Sequence, residues 1–216
     1  MKIQVTLLLV AFLLGVTILG CQDIKDQVRN KEVVINKKDV KKFKTELESL
    51  NEKNDVKVKI NDSSRIVYAK EQDVLNLKNG IVLFGWPSCP WFRNAIEPLL
   101  QFAAREHATI YFLNIKDIRD KKELKKGKVV TIDTGSVGYN AILKKFHDIL
   151  NPYKTLQIDS IKRISSPTVL FIENGKAVFK VASTVISQKD AHVKLNAKQQ
   201  KELIGRYQAY FTQEKK

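Results

Sequence analysis

The sequence is poor in the residues on which most metal and cofactor chemistry depends. Among 216 residues there are two cysteines, Cys21 and Cys89, and three histidines, His107, His147 and His192. A metal site needs three or four converging ligands. These histidines share no ligand spacing with each other or with Cys89, so neither a metal nor any other cofactor is expected. Two cysteines allow at most one internal disulfide. No Ser-His-Asp nucleophile motif is present, and the nine glycines nowhere form a phosphate cradle; Asn174-Gly175 reads as a turn.

Arginine is also scarce. It supplies seven of the 38 Lys+Arg positions in a chain of formal net charge +15. Readers of nucleic acid use arginine forks on bases and phosphates, whereas here lysine is scattered among acids, so no nucleic-acid partner is expected and the charge reads as a solvated basic surface. Internal repeats and low-complexity tracts are absent. With 44% hydrophobic and 28% charged residues, the chain has the material for a packed core, and its length allows one ordinary domain plus extras.

What is there begins with "MKIQVTLLLVAFLLGVTILGC". A short basic end and an apolar centre make a secretory signal. Its close, Ile18-Leu19-Gly20-Cys21, resembles the lipobox of bacterial lipoproteins, with Leu19 bulkier than is usual there. The resemblance implies lipidation of Cys21, with an uncleaved membrane anchor as the alternative. In either case the chain after residue 21 is expected to face outside the cytoplasm, tethered to the cell membrane. If Cys21 carries lipid, Cys89 is the only free thiol.

Residues 22–62 read as a tether and extension: polar "QDIKDQVRNKE", an amphipathic helix with Val40, Phe43, Leu47 and Leu50 at helical spacing, and a half-buried strand "DVKVKIN" with alternating Val56, Val58 and Ile60. From residue 63 onward the pattern is regular. "RIVYA" is a strand and "EQDVLNL" a short helix. "GIVLFG" (80–85) is apolar throughout, as for a strand buried on both faces. A helix follows from Pro90 to about Arg105, then the strand "TIYFLNI". This is a βαβ unit with Cys89 at the strand-to-helix turn.

The stretch 116–163 opens with a charged segment whose Lys121–Lys128 cluster reads as a solvated loop. It then passes a turn at "DTGSVG" and includes the helix "YNAILKKFHDIL", closed by Pro152. "ISSPTVLFIENGKAVFKVAS" is a hairpin about an Asn-Gly turn. A last helix starts after a cap at Asn196. The expected class is α/β, with a central mixed sheet flanked by helices.

The order of these elements, with "FGWPSCPWFR" and then "SPT" leading into "VLFIENGKAVF" about 78 positions on, resembles the thioredoxin-like superfamily over roughly residues 63–214. The "PSCPW" wording and the inserted helical segment are most similar to secreted or lipid-anchored members from Gram-positive bacteria, including bacteriocin transport accessory proteins. The resemblance implies that Cys89 is the active cysteine and Pro167 a cis-proline facing it. It also implies that Trp86, Pro90, Trp91, Phe92, Ser166 and Pro167 contact a substrate, and that the protein is a monomer.

Two departures limit the carry-over. Phe92 stands where the family places its resolving cysteine, and Leu83 where it places a buried acid. Pro98 also falls one residue later than the family's helix proline.

The chemistry of the motif is nevertheless coherent. A thiolate is the reactive form of cysteine, and a helix start offers unpaired N–H groups and the positive end of the dipole. Pro90 suits the first helical position, and Ser88 is available to help cap it. Arg93 is expected either at the surface or beside the sulfur.

Three readings follow. Cys89 exchanges with protein, peptide or low-molecular-weight thiols and disulfides by a monothiol route, an external thiol replacing the missing one. Alternatively, the domain is a non-catalytic binding or accessory module at the cell surface. In the third reading, Cys89 is a buried remnant.

Overall fold

The structure, a computed structural model, describes residues 22–212. Its centre is β2 (Gly80–Gly85), all six residues of which are buried. A strand apolar on both faces needs a layer on each side, and β2 has both. It pairs in parallel with β3 (Ile110–Asn114), Ile81 opposite Ile110, and antiparallel with β8 (Thr168–Glu173), Phe84 opposite Thr168. The five-stranded mixed sheet runs β1-β3-β2-β8-β9, with β1 at Ile66–Tyr68 and β9 at Lys176–Ala182. β8 and β9 are joined by Asn174 and Gly175, both at positive φ (50° and 78°), the backbone of a two-residue hairpin turn that favours Asn-Gly.

Side chains alternate between the two layers as strand geometry requires. Ile81, Leu83, Val169 and Phe171 face a core built with α4 (Pro90–Arg105) and α6 (Ala197–Thr212). Val82, Phe84, Leu170 and Ile172 face a second core, to which α3 (Glu71–Asn76) and α5 (Val137–Lys145) contribute Val74, Tyr139 and Ile142. The α/β class and the mixed sheet with flanking helices are as the periodicity indicates. At the start of α6, Asn196 Oδ1 accepts from Gln199 N at 2.9 Å while Gln199 Oε1 accepts from Asn196 N at 3.1 Å, a reciprocal cap.

Three expectations need correction. First, the segment after residue 21 is not a free polar tether. Residues 22–29 form a helix, α1, whose Val28 is fully buried. Arg29 binds Glu106 at 3.0 Å and stacks over Phe211 at 4.1 Å, and its carbonyl accepts from Thr109 N. One buried apolar residue in "QDIKDQVRNKE" suffices because Arg29 supplies further docking contacts.

Second, "DVKVKIN" joins no sheet. Val56, Val58 and Ile60 are buried in alternation as expected, but side chains take the place of a neighbouring strand. Val58 N donates to Asn51 Oδ1, Lys59 N to Glu97 Oε1 and Ile60 N to Glu48 Oε1. The preceding α2 (Lys37–Glu48) buries Val40, Phe43 and Leu47 as its spacing implies, and Leu50 lies just beyond it, partly buried.

Third, the lysine-rich segment is not a loop. β4 (Lys121–Lys125) and β5 (Lys128–Asp133) form an antiparallel hairpin turning at Lys126-Gly127, both at positive φ. A second small ribbon pairs β6 (Pro152–Tyr153) with β7 (Ile158–Lys162). Lysines mask the alternation of Leu124, Val130 and Ile132, which stay largely exposed, so the sequence carries no core-facing signal there. The signal segment and Cys21 lie outside the described residues. Among those described, no helix is long and apolar enough to cross a membrane.

Five tyrosines in these cores resist ionisation. Burial pushes Tyr68, Tyr111, Tyr207 and Tyr210 upward, with acceptors Glu46 and Glu173 adding to the rise at Tyr68 and Tyr210, and Tyr139 is pushed up to about 12. A raised tyrosine keeps its proton in the folded state at a pH where the unfolded chain has lost it. The stability contribution is therefore complete below pH ~10 and falls as pH rises through the folded values. The urea midpoint should drop from about pH 10 upward, and phenolate absorbance should appear together with unfolding. A smooth titration near the ordinary tyrosine value in folded protein would contradict this.

Candidate functional site at Cys89

β2 ends at Gly85, and after four intervening residues the chain starts α4 with Pro90 at its first position. Cys89 is the N-cap, in extended conformation (φ −76°, ψ 121°). Its N–H donates to Trp86 O at 3.2 Å, and its carbonyl accepts from Arg93 N at 3.0 Å. The side chain makes no capping hydrogen bond, so the sulfur stands at the positive end of a sixteen-residue helix without being consumed by the cap. No hydroxyl replaces it in that role, since Ser88 forms no capping bond to the helix among the described residues.

The facing wall comes from the antiparallel neighbour. Because Phe84 pairs with Thr168, the residues just before β8 meet those just after β2. The Ser166–Pro167 peptide is cis, as the resemblance implies for Pro167. Cys89 Sγ donates to Ser166 O at 3.5 Å and is 7% exposed. Trp86, Pro90 and Trp91 are half-buried around this point, Ser166 is half-buried, and Pro167 is buried. Ser166 contributes its carbonyl; its Oγ is enclosed without a partner. Cys89, Trp86, Pro90, Trp91, Ser166 and Pro167 thus come together around one loop and one helix start.

Phe92 does not belong to that rim. It is fully buried and packs edge-on or tilted against Phe43 (6.5 Å) and Phe112 (5.6 Å). One turn after Cys89, the helical period carries it to the side of Ala95, Ile96 and Leu99, which is the core side. Its ring lies over Gly85, where a Cβ would stand 2.3 Å from the ring and 2.8 Å from Ser166 Oγ. Phe92 therefore fills the core and is not part of the rim around Cys89. Leu83 is likewise a core side chain, 1% exposed. Pro98 sits inside α4, which continues through it to Arg105.

Arg93 is neither at the surface nor a partner of the sulfur. It is 1% exposed. Nε donates to Val56 O at 2.6 Å, and Nη1 donates to Leu47 O at 3.0 Å and Pro87 O at 3.1 Å, while Nη2 reaches Asn51 Oδ1. Burial lowers its pKa, opposed by the charge of Glu97. The guanidinium joins α2 and the 50s segment to the Cys89 loop. Nothing in the local pattern distinguishes it from a surface arginine, because its acceptors are carbonyls far away in sequence.

Arg119 was also hidden, inside a charged run. Its guanidinium lies 4.3 Å from the centre of the Trp86 ring. Burial, followed by the charge of Arg163, holds its pKa below the ordinary arginine value. The histidines are spread apart: His147 contacts Ser160 O, and His192 contacts Asp55 at 2.8 Å. Among the described residues no three His, Cys, Asp or Glu side chains gather where a metal could bind.

Two substitutions measure how far the site depends on this packing. Gly85→Ala drives a methyl into Phe92 and should cost about 1–3 kcal/mol in urea unfolding, the range for overpacking a filled core. A change within 0.5 kcal/mol would mean the ring is free to move. Arg93→Ala orphans three carbonyls and should lower stability by about 3 kcal/mol, or the thermal midpoint by roughly 10 °C. A surface arginine would give almost no shift. A scan against protein-family models, a search of the curated proteins and a search of the solved structures each return no match for this chain.

Proposed function

We propose that this is a thioredoxin-like protein, tethered to the outer face of the cell membrane through Cys21, that performs thiol-disulfide exchange with Cys89 as its single working thiol. What supports the fold reading is the strand order β1-β3-β2-β8-β9 with β8 and β9 antiparallel at one side. The observation that carries the functional reading is the meeting of a free cysteine at a helix N-cap with the carbonyl before cis-Pro167, 3.5 Å away.

The exchange needs no second protein thiol. After Cys89 gives its proton to solvent, the thiolate attacks one sulfur of a substrate disulfide R–S–S–R′. The Cys89–S–S–R bond forms, the S–S bond of the substrate breaks, and R′–S⁻ leaves and takes a proton from water. An external thiolate R″–S⁻ then attacks the mixed disulfide, giving R–S–S–R″ and returning Cys89. Phe92 and Leu83 remove the internal resolving thiol and the buried acid, so release of the mixed disulfide depends on the external thiol.

Trapping tests this. Full-length protein expressed with its own signal and quenched with acid should carry mixed disulfides that disappear in Cys89→Ser. Complete absence of adducts, together with no reaction of the purified protein with small disulfides, would refute the exchange reading. The 7% exposure of Cys89 favours a second reading, a binding module whose rim of Trp86 and Trp91 holds a peptide. In that case Cys89→Ser keeps partner capture, whereas Trp86→Ala and Trp91→Ala each lose it.

A further inference from the structure

The segment between β3 and β8 encloses a groove of about 680 Å³ walled by Arg119, Arg163, Lys116 and Asp120; of these, Arg119 also rests on the Trp86 ring. Of its acids, Asp120 pairs with Lys122 through Oδ2 while its Oδ1 is enclosed without a partner, Glu123 pairs with Lys121 at 3.2 Å, and Asp133 accepts from Gly135 N at 2.8 Å. Arg119 and Arg163 have no carboxylate partner among the described residues.

The Arg119 guanidinium has only the face of Trp86, 4.3 Å away, and makes no side-chain hydrogen bond among the described residues. Arg163 stacks 4.1 Å from the Tyr153 ring and spends one Nη on the Asp120 carbonyl at 3.1 Å, leaving its Nε enclosed and without a partner.

Two half-buried guanidiniums line one groove close enough to oppose each other's charge, and neither is paired with a carboxylate, which leaves their forks open to an anionic ligand. Arginine forks match carboxylates in two-point contact. The location gives the ligand its second property. Arg119 rests on the ring of Trp86, whose carbonyl holds the N–H of Cys89. A molecule anchored at Arg119 is thereby held next to the loop that runs from Trp86 to Cys89.

We infer that Arg119 and Arg163 form a carboxylate-binding subsite that selects small carboxylate-bearing thiols and disulfides as exchange partners of Cys89. This rests on the exchange reading and names the chemistry of its external thiol. The step is the one given above, with R a carboxylate-bearing group: the mixed disulfide forms at Cys89 and the other half of the ligand leaves as a thiolate.

The test compares three small disulfides: 3,3′-dithiodipropionate (anionic), bis(2-hydroxyethyl) disulfide (neutral) and cystamine (cationic). Adduct formation at Cys89 is followed by mass spectrometry on the full chain. The anionic probe should react about tenfold faster than the neutral one, the worth of one charge-assisted contact. The advantage should shrink in 0.5 M salt.

Arg119→Gln should bring the ratio near one, while Lys125→Gln, the same charge change at the exposed hairpin tip, should keep it. A wild-type ratio near one, or an equal fall in both variants, would overturn the subsite. A second measurement removes the thiol chemistry. In Cys89→Ala, calorimetry should show saturable binding of 3,3′-thiodipropionate, weakened at least about tenfold by Arg119→Gln. No binding there overturns the subsite. Binding there with no adduct from any of the three disulfides would instead refute the exchange reading and leave the subsite standing.

Discussion

All six residues of β2 are withdrawn from water, and from that constraint most of the molecule follows. Its backbone groups have to be paired on both edges and its side chains covered on both faces. β3 and β8 meet the first demand, and the two helical layers meet the second. The chain leaves this strand at Gly85 and turns directly into α4, so Cys89 reaches solvent's edge at a helix start. The antiparallel partner β8 is entered from the same end, which brings Ser166 and Pro167 to the sulfur. The site is a consequence of how the central strand is paired.

Stability and site geometry share the same side chains. Phe92, one turn past Cys89, lies over Gly85 and beside Ser166 while also touching Phe43 of α2. Arg93, the next residue, holds Pro87 in the cysteine loop and Leu47 at the end of α2 with one nitrogen. The segment before β1 is therefore part of the frame around the cysteine. Phenylalanine at position 92 is a packing group and ties the loop to the segment that precedes β1. The segment between β3 and β8 reaches the other side of the loop, where Arg119 rests on Trp86.

Legibility varied with the range of the interaction. β2, α4 and the β8–β9 hairpin agree with the sequence at their boundaries, because a doubly buried run, a proline at a helix start and an Asn-Gly turn are local signals. The stretch 56–60 shows where such signals mislead. Its alternation is real and its burial follows it, but a strand also needs a neighbouring backbone, and here Asn51, Glu48 and Glu97 stand in for one. The hairpin of β4 and β5 was masked because exposed lysines flatten its pattern.

By itself the sequence determined the α/β class, the central strand, the placement of Cys89 at a helix start and the absence of a second cysteine three residues on. These depend on residue type and on spacing within a few positions. Only the tertiary structure decided that Phe92 belongs to the core, that Arg93 is a buried clasp and that Arg119 lies at the site. The partners of those three side chains are aromatic rings and carbonyls far away along the chain, and no local pattern records where the folded backbone will bring them.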